Sequence, residues 1–232
     1  MEDIAPDLLT AIREEFTHSI QRNRKIITLY EAIQKGTVTY QDVGVYAYEI
    51  GEALSRAMLK HLSSTVLPDG RMYFNIADRV LRPLLEENHG LISDAAMRVQ
   101  TDLNHKAGIG LKAQSAKIND DRISGIVNKV SNAGNFDDVT WVLNEPVKTF
   151  AQSVVDDTLK ANVQFQGRAG LKPVVIRKST RECCEWCKAL AGEYDYPDVP
   201  EDVYHRHERC RCTVDYDPGS GKRQNVWTKN YH

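Results

Sequence analysis

Asn75-Ile76-Ala77-Asp78-Arg79-Val80-Leu81-Arg82-Pro83-Leu84-Leu85 opens the longest periodic stretch of the chain, and its reading decides the fold. Apolar side chains recur at Ile76, Val80, Leu81, Leu84, Leu85, Leu91, Ile92, Ala95, Val99 and Leu103. Steps of three and four place them on one face of a helix that reaches His105. Asn75 can cap this helix, with Asp78 at the capping-box position. Pro83 has no amide hydrogen and crowds the preceding turn, so a kink or two abutting helices is expected there.

The same period extends outward on both sides. Thr39-Tyr40-Gln41-Asp42 resembles a capping box, and Val43, Tyr46, Ile50, Leu54, Ala57, Met58 and Leu62 supply the inward face behind it. Residues 8–33 put Leu8, Ile12, Phe16, Ile20, Ile26, Ile27, Tyr30 and Ile33 on one stripe, with Gly36 as the stop. Downstream, Asn119 or Asp120 caps a short helix with Ile123, Ile126, Val127 and Val130 inward. Phe136, Val139, Trp141 and Leu143 form a short apolar patch. Pro146 suits the first turn of a helix running through Val147, Phe150, Val154, Leu159 and Val163. Its Asp156-Asp157 pair reads as a solvated face, because no histidine or second carboxylate site is placed to share acid–base work.

Gln166-Gly167-Arg168-Ala169-Gly170 marks a change of composition. Two short β-prone runs follow, Val174-Val175-Ile176 and Thr213-Val214-Asp215-Tyr216. The expected fold class is therefore mainly α. An elongated helical body over 1–166 carries a small C-terminal α+β zinc-knuckle module over 167–232, with Trp227 and Tyr231 folding back as anchors.

The 232 residues suffice for a real core, and the formal net charge of −2 lacks the basic excess that a nucleic-acid coat needs. No apolar run approaches the ~20 residues of a membrane span, and the acidic start is unlike a signal peptide. All 5 cysteines lie between positions 183 and 212. An odd, clustered set argues for reducing cytoplasm rather than a disulfide framework.

Those cysteines form Cys183-Cys184-Glu185-Trp186-Cys187 and His207-Glu208-Arg209-Cys210-Arg211-Cys212. A C-x2-C followed by H-x2-C-x-C is the donor pattern of a tetrahedral zinc site. Two ligand sets are open: Cys184, Cys187, His207 and Cys210, or the first pair with Cys210 and Cys212. The three-cysteine, one-histidine set is preferred, with Cys212 close by. Cys183 sits one position too early, and His205 is the weakest candidate. With four or five donors on hand the site closes on protein ligands, as structural zinc does, and no catalytic residue is expected. Zinc deaminases need H-x-E before P-C-x-x-C, the reverse of the order here. H-E-x-x-H, G-x-S-x-G and phosphate loops do not occur in the sequence.

Arg177-Lys178-Ser179-Thr180, Cys184-Glu185-Trp186-Cys187, Leu190-Ala191-Gly192 and His207-Glu208-Arg209-Cys210-Arg211-Cys212, in that order, resemble the C-terminal region of phage minor head proteins of the Mu F-like head morphogenesis family. Gly70-Arg71-Met72-Tyr73-Phe74-Asn75-Ile76-Ala77 is similar to the helical regions of such proteins in phages of Gram-positive hosts. The resemblance implies a non-enzymatic minor virion component, made in the host bacterial cytoplasm and incorporated in the phage head near the portal. It further implies a role in capsid assembly or in DNA packaging or ejection. Partners would be the portal, the major capsid or scaffold proteins, packaged DNA, or further copies of the chain. The alternative expectation is a prophage-encoded zinc-knuckle nucleic-acid binder, nuclease or toxin.

Overall fold

A computed structural model describes residues 3–207 and 209–218. Trp227 and Tyr231, expected as anchors, lie outside the described residues. In chain order the elements are α1 (Ala5–Arg22), α2 (Arg24–Gln34), α3 (Tyr40–His61), α4 (Phe74–Lys106), α5 (Asp120–Ser131), α6 (Glu145–Arg168), β1 (Val174–Lys178), α7 (Glu185–Ala189), β2 (Gly192–Asp195) and β3 (Thr213–Asp217). The chain is mainly helical, with a small C-terminal three-stranded sheet beside the Cys/His cluster. Among the described residues no helix is long and apolar enough to cross a membrane.

The capping signals decide where the helices start. Thr39 and Asp42 form the expected capping box at the head of α3. The amide of Thr39 donates to Asp42 Oδ2 at 2.9 Å. The single stripe expected over 8–33 is instead two helices. Asn23 adopts an extended conformation and accepts the amides of Lys25 and Ile26, so its side chain ends α1 and starts α2. The turn rotates the second half of the stripe and leaves Ile27 and Tyr30 exposed. Likewise α4 begins at Phe74 rather than being capped by Asn75. Asp78 pairs forward with Arg82 at 2.8 Å, one turn on, instead of reaching back. Helix α4 also runs unbroken through Pro83. Fully buried Leu81, Leu84 and Leu85 hold both flanks of the proline in the core and outweigh the lost hydrogen bond.

Helix α6 is the axis of the molecule, packing on α3, α4 and the 3-10 segment Phe136–Leu143. Gly51 lets α3 approach it: a Cβ there would lie 2.8 Å from Ala151 Cβ and 3.0 Å from Lys148 Cα. Because α6 is covered on nearly all sides, its polar residues must be satisfied inside. Ser153 and Thr158 donate to the carbonyls of Phe150 and Val154. Asn162 clamps the loop before α5, accepting the amide of Gln114 at 2.8 Å and donating to its carbonyl at 2.7 Å. Gln166 donates to Asn104 of α4 and accepts from Tyr216 of β3.

The sheet order is β2-β1-β3, with both pairings antiparallel. Alternation along β1 turns Val175 and Arg177 to the buried face. Val175, Val203, Tyr204, Val214 and Tyr216 join the same hydrophobic core as the helices. Gly167, at the change of composition, is inside α6, and the Tyr196 ring packs against it so closely that a Cβ would meet it at 2.3 Å.

Candidate metal centre

The first half of the centre is built on α7. Cys184 occupies its N-cap and Cys187 lies three residues on, the spacing that puts two side chains on one helical face. The second half is the segment entering β3. There the Cys210 amide donates to the His207 carbonyl at 3.2 Å. Arg209 takes a left-handed φ of 60°, the sharp turn that returns Cys210 toward His207.

The five donors expected from the sequence converge in two groups that share Cys187. Cys184, Cys187 and His207 form one, Cys187, Cys210 and Cys212 the other, with ligand atoms within 4.8 Å of one another in each. His207 Nε2 lies 3.0 Å from Cys187 Sγ and 3.3 Å from Cys184 Sγ, and Cys187 Sγ lies 3.7 Å from Cys210 Sγ. Tetrahedral thiolate ligation at ~2.3 Å gives a sulfur–sulfur edge of about 3.8 Å. The donor set and its spacing therefore fit a metal ion, and these residues could bind one. Cys183 packs against the cluster without joining either donor group. His205, the weakest candidate, pairs with Asp202 at 3.1 Å.

Electrostatics differ across the centre. Backbone amides at the start of α7, led by that of Cys187, hold the Cys184 thiol below its usual range. Burial pushes the Cys187 and Cys212 thiols up. A bound divalent cation reverses that preference, because it stabilises the thiolate form directly.

Three buried residues around the cluster take roles that the sequence reading did not give them. Arg206 inserts a fully buried side chain against Asp156 of α6, with Nη2 2.8 Å from Oδ1, and donates to the Cys212 carbonyl at 2.7 Å. Burial opposes the guanidinium charge, but the Asp156 carboxylate outweighs it and holds the group above its ordinary value. Asp156 is thus not on a solvated face; it anchors the metal loop to the central helix. Asp157 beside it is shifted up by burial and by the Asp156 charge. Arg177 of β1 donates to the carbonyls of Val203 and, at 2.9 Å, His205. No spacing rule links residues 50 apart, so the sequence placed Asp156 on a solvated face and gave Arg206 and Arg177 no structural partner.

Beside the centre a cleft of about 1110 Å³ opens between α5, α6 and the metal loop, lined by Arg122, Lys129, Trp141, Asp157, Trp186 and His207 among others. Trp141 is 51% exposed and Trp186 39%. Lys129 sits 5.9 Å from the Trp141 ring centroid. Comparison with models of protein families, with curated proteins and with solved structures returns no match.

Proposed function

We propose that this chain is a non-enzymatic phage minor head protein whose Cys/His centre holds one structural zinc. The observation that carries the reading is the convergence of Cys184 and Cys187 with His207, Cys210 and Cys212 on a helical body. Those residues and Arg177-Lys178-Ser179-Thr180 are also the ones that resemble the Mu F-like family. Soft thiolates with an imidazole suit zinc, and more donors than a tetrahedron requires leave no position for a reacting water. Zinc here works as a staple: it fixes α7 against the loop entering β3 in a segment with little apolar sequence of its own. Binding contributes on the order of 10 kcal/mol in structural zinc sites, enough to decide whether such a segment orders.

In this reading the helical body and the rim of the cleft provide the contacts in the head, with the portal, the capsid or scaffold proteins, or packaged DNA as counterparts. Trp141 and Trp186 are the anchors such a surface would use, since exposed tryptophans carry much of the energy of protein interfaces. Elemental analysis of protein purified without added metal should find one zinc per chain. Mass spectrometry of purified virions, full and DNA-ejected, should find the chain in the head. Protein without stoichiometric zinc would refute the staple, and virions lacking the chain would refute the head assignment.

A further inference from the structure

We propose that Arg177 is the counter-cation of the metal centre, a positioning residue that holds Cys187 and Cys210 and balances their negative charge. Arg177 is only 2% exposed, and its Nη2 lies 3.8 Å from Cys187 Sγ and 3.9 Å from Cys210 Sγ. Its other terminal nitrogen is fixed by the Val203 and His205 carbonyls, and its guanidinium lies 5.4 Å from the Trp186 ring centroid. Among the described residues no carboxylate pairs with it. A buried guanidinium without a counter-charge is costly, so the chain must supply negative charge at the two sulfurs.

The charge balance points the same way. A divalent ion held by three thiolates and an imidazole is net negative, and one held by four thiolates more so. Arg206, the other buried arginine at the loop, is already matched by Asp156. Arg177 is left to neutralise the complex. The central strand presents it there by the same alternation that buries Val175. Outer groups of this kind tune metal affinity by about 10- to 100-fold.

The proposal rests on the metal reading above and is tested separately from it. Full-length wild type, Arg177→Gln and Arg177→Lys are loaded with zinc and titrated with a competing chelator, and circular dichroism checks that each is folded. Gln keeps hydrogen-bond donors and loses the charge; Lys keeps the charge and loses the fork. Zinc affinity should fall at least about tenfold in Arg177→Gln and recover in large part in Arg177→Lys. In a Cys210→His background, where a neutral donor replaces a thiolate, the Gln penalty should shrink several-fold. Equal losses in Gln and Lys, an unchanged Gln affinity, or the same penalty in both backgrounds would each overturn the proposal. If wild type binds no zinc, the metal reading fails and takes this inference with it. If wild type binds zinc and the variants match it, only the role of Arg177 fails.

Discussion

Cys187 belongs to both donor groups, so an ion held by either group uses it. Cys187→Ser is therefore expected to abolish stoichiometric zinc, read by elemental analysis. His207→Ala and Cys212→Ala separate the two ligand sets left open by the sequence: the variant that keeps one zinc per chain has lost the spare donor. Away from the centre, His89 on α4 is the residue whose titration the fold resists. Burial holds its imidazole below the usual range, and Nε2 has no hydrogen-bond partner among the described residues. In the window below the unfolded value of about 6.5 the unfolded chain binds more protons than the folded one. The stabilising contribution is complete above that pH and is lost as pH falls through the lower folded value. His89→Gln should thus lose less stability than wild type in urea melts when the pH is lowered from 7 to 5, about the range in which an unperturbed histidine titrates. An identical pH slope would contradict this.

At the level of elements, two contacts with α6 hold the architecture. Gly51→Ala would ordinarily gain helix propensity of up to about 1 kcal/mol. Here the new methyl meets Ala151 and the backbone of Lys148, so a net loss of about 1–3 kcal/mol is expected from denaturant unfolding. Stabilisation would show that the α3–α6 crossing is looser than described. Asp156→Asn leaves the buried Arg206 unmatched and is expected to cost about 3–5 kcal/mol. Asp157→Asn, at a carboxyl whose charge is disfavoured by burial and by the neighbouring Asp156 and which pairs with no buried guanidinium among the described residues, should cost much less. The apolar period made α3, α4, α5 and α6 legible but not the short α7, and the Thr39 capping box gave a start correct to the residue. The misread ends have one cause: competing local hydrogen bonds. Asn23 found amides to accept within a long stripe, and Asp78 found Arg82 in preference to a cap.

For the molecule as a whole, the sheet residues Val175, Val214 and Tyr216 share a core with the helices, and Tyr216 reaches Gln166 and Tyr40 across it. Arg206 and Arg211 add polar ties from the metal loop to α6 and to Tyr48 of α3. If the centre holds zinc as proposed, removing it should therefore lower the unfolding temperature of the helices along with that of the sheet. Circular dichroism in the helical band and tryptophan fluorescence should report one shared transition before and after chelation. A helical transition that stays put while the fluorescence transition moves would mean that the two regions unfold independently.

The sequence by itself determined the mainly helical class, the positions of β1 and β3, and the choice of Cys184, Cys187, His207, Cys210 and Cys212 as candidate donors, which the fold brings together. Each of these follows from local spacing, because helical period, strand alternation and chelate geometry act over a few residues. Only the tertiary structure decided that Asp156 is buried against Arg206, that Arg177 faces the sulfurs, and that the strands close onto the helices. A polar residue reads as exposed until its partner is known. Here each partner comes from a distant part of the chain, and burying it is worthwhile only once the fold has brought the two together.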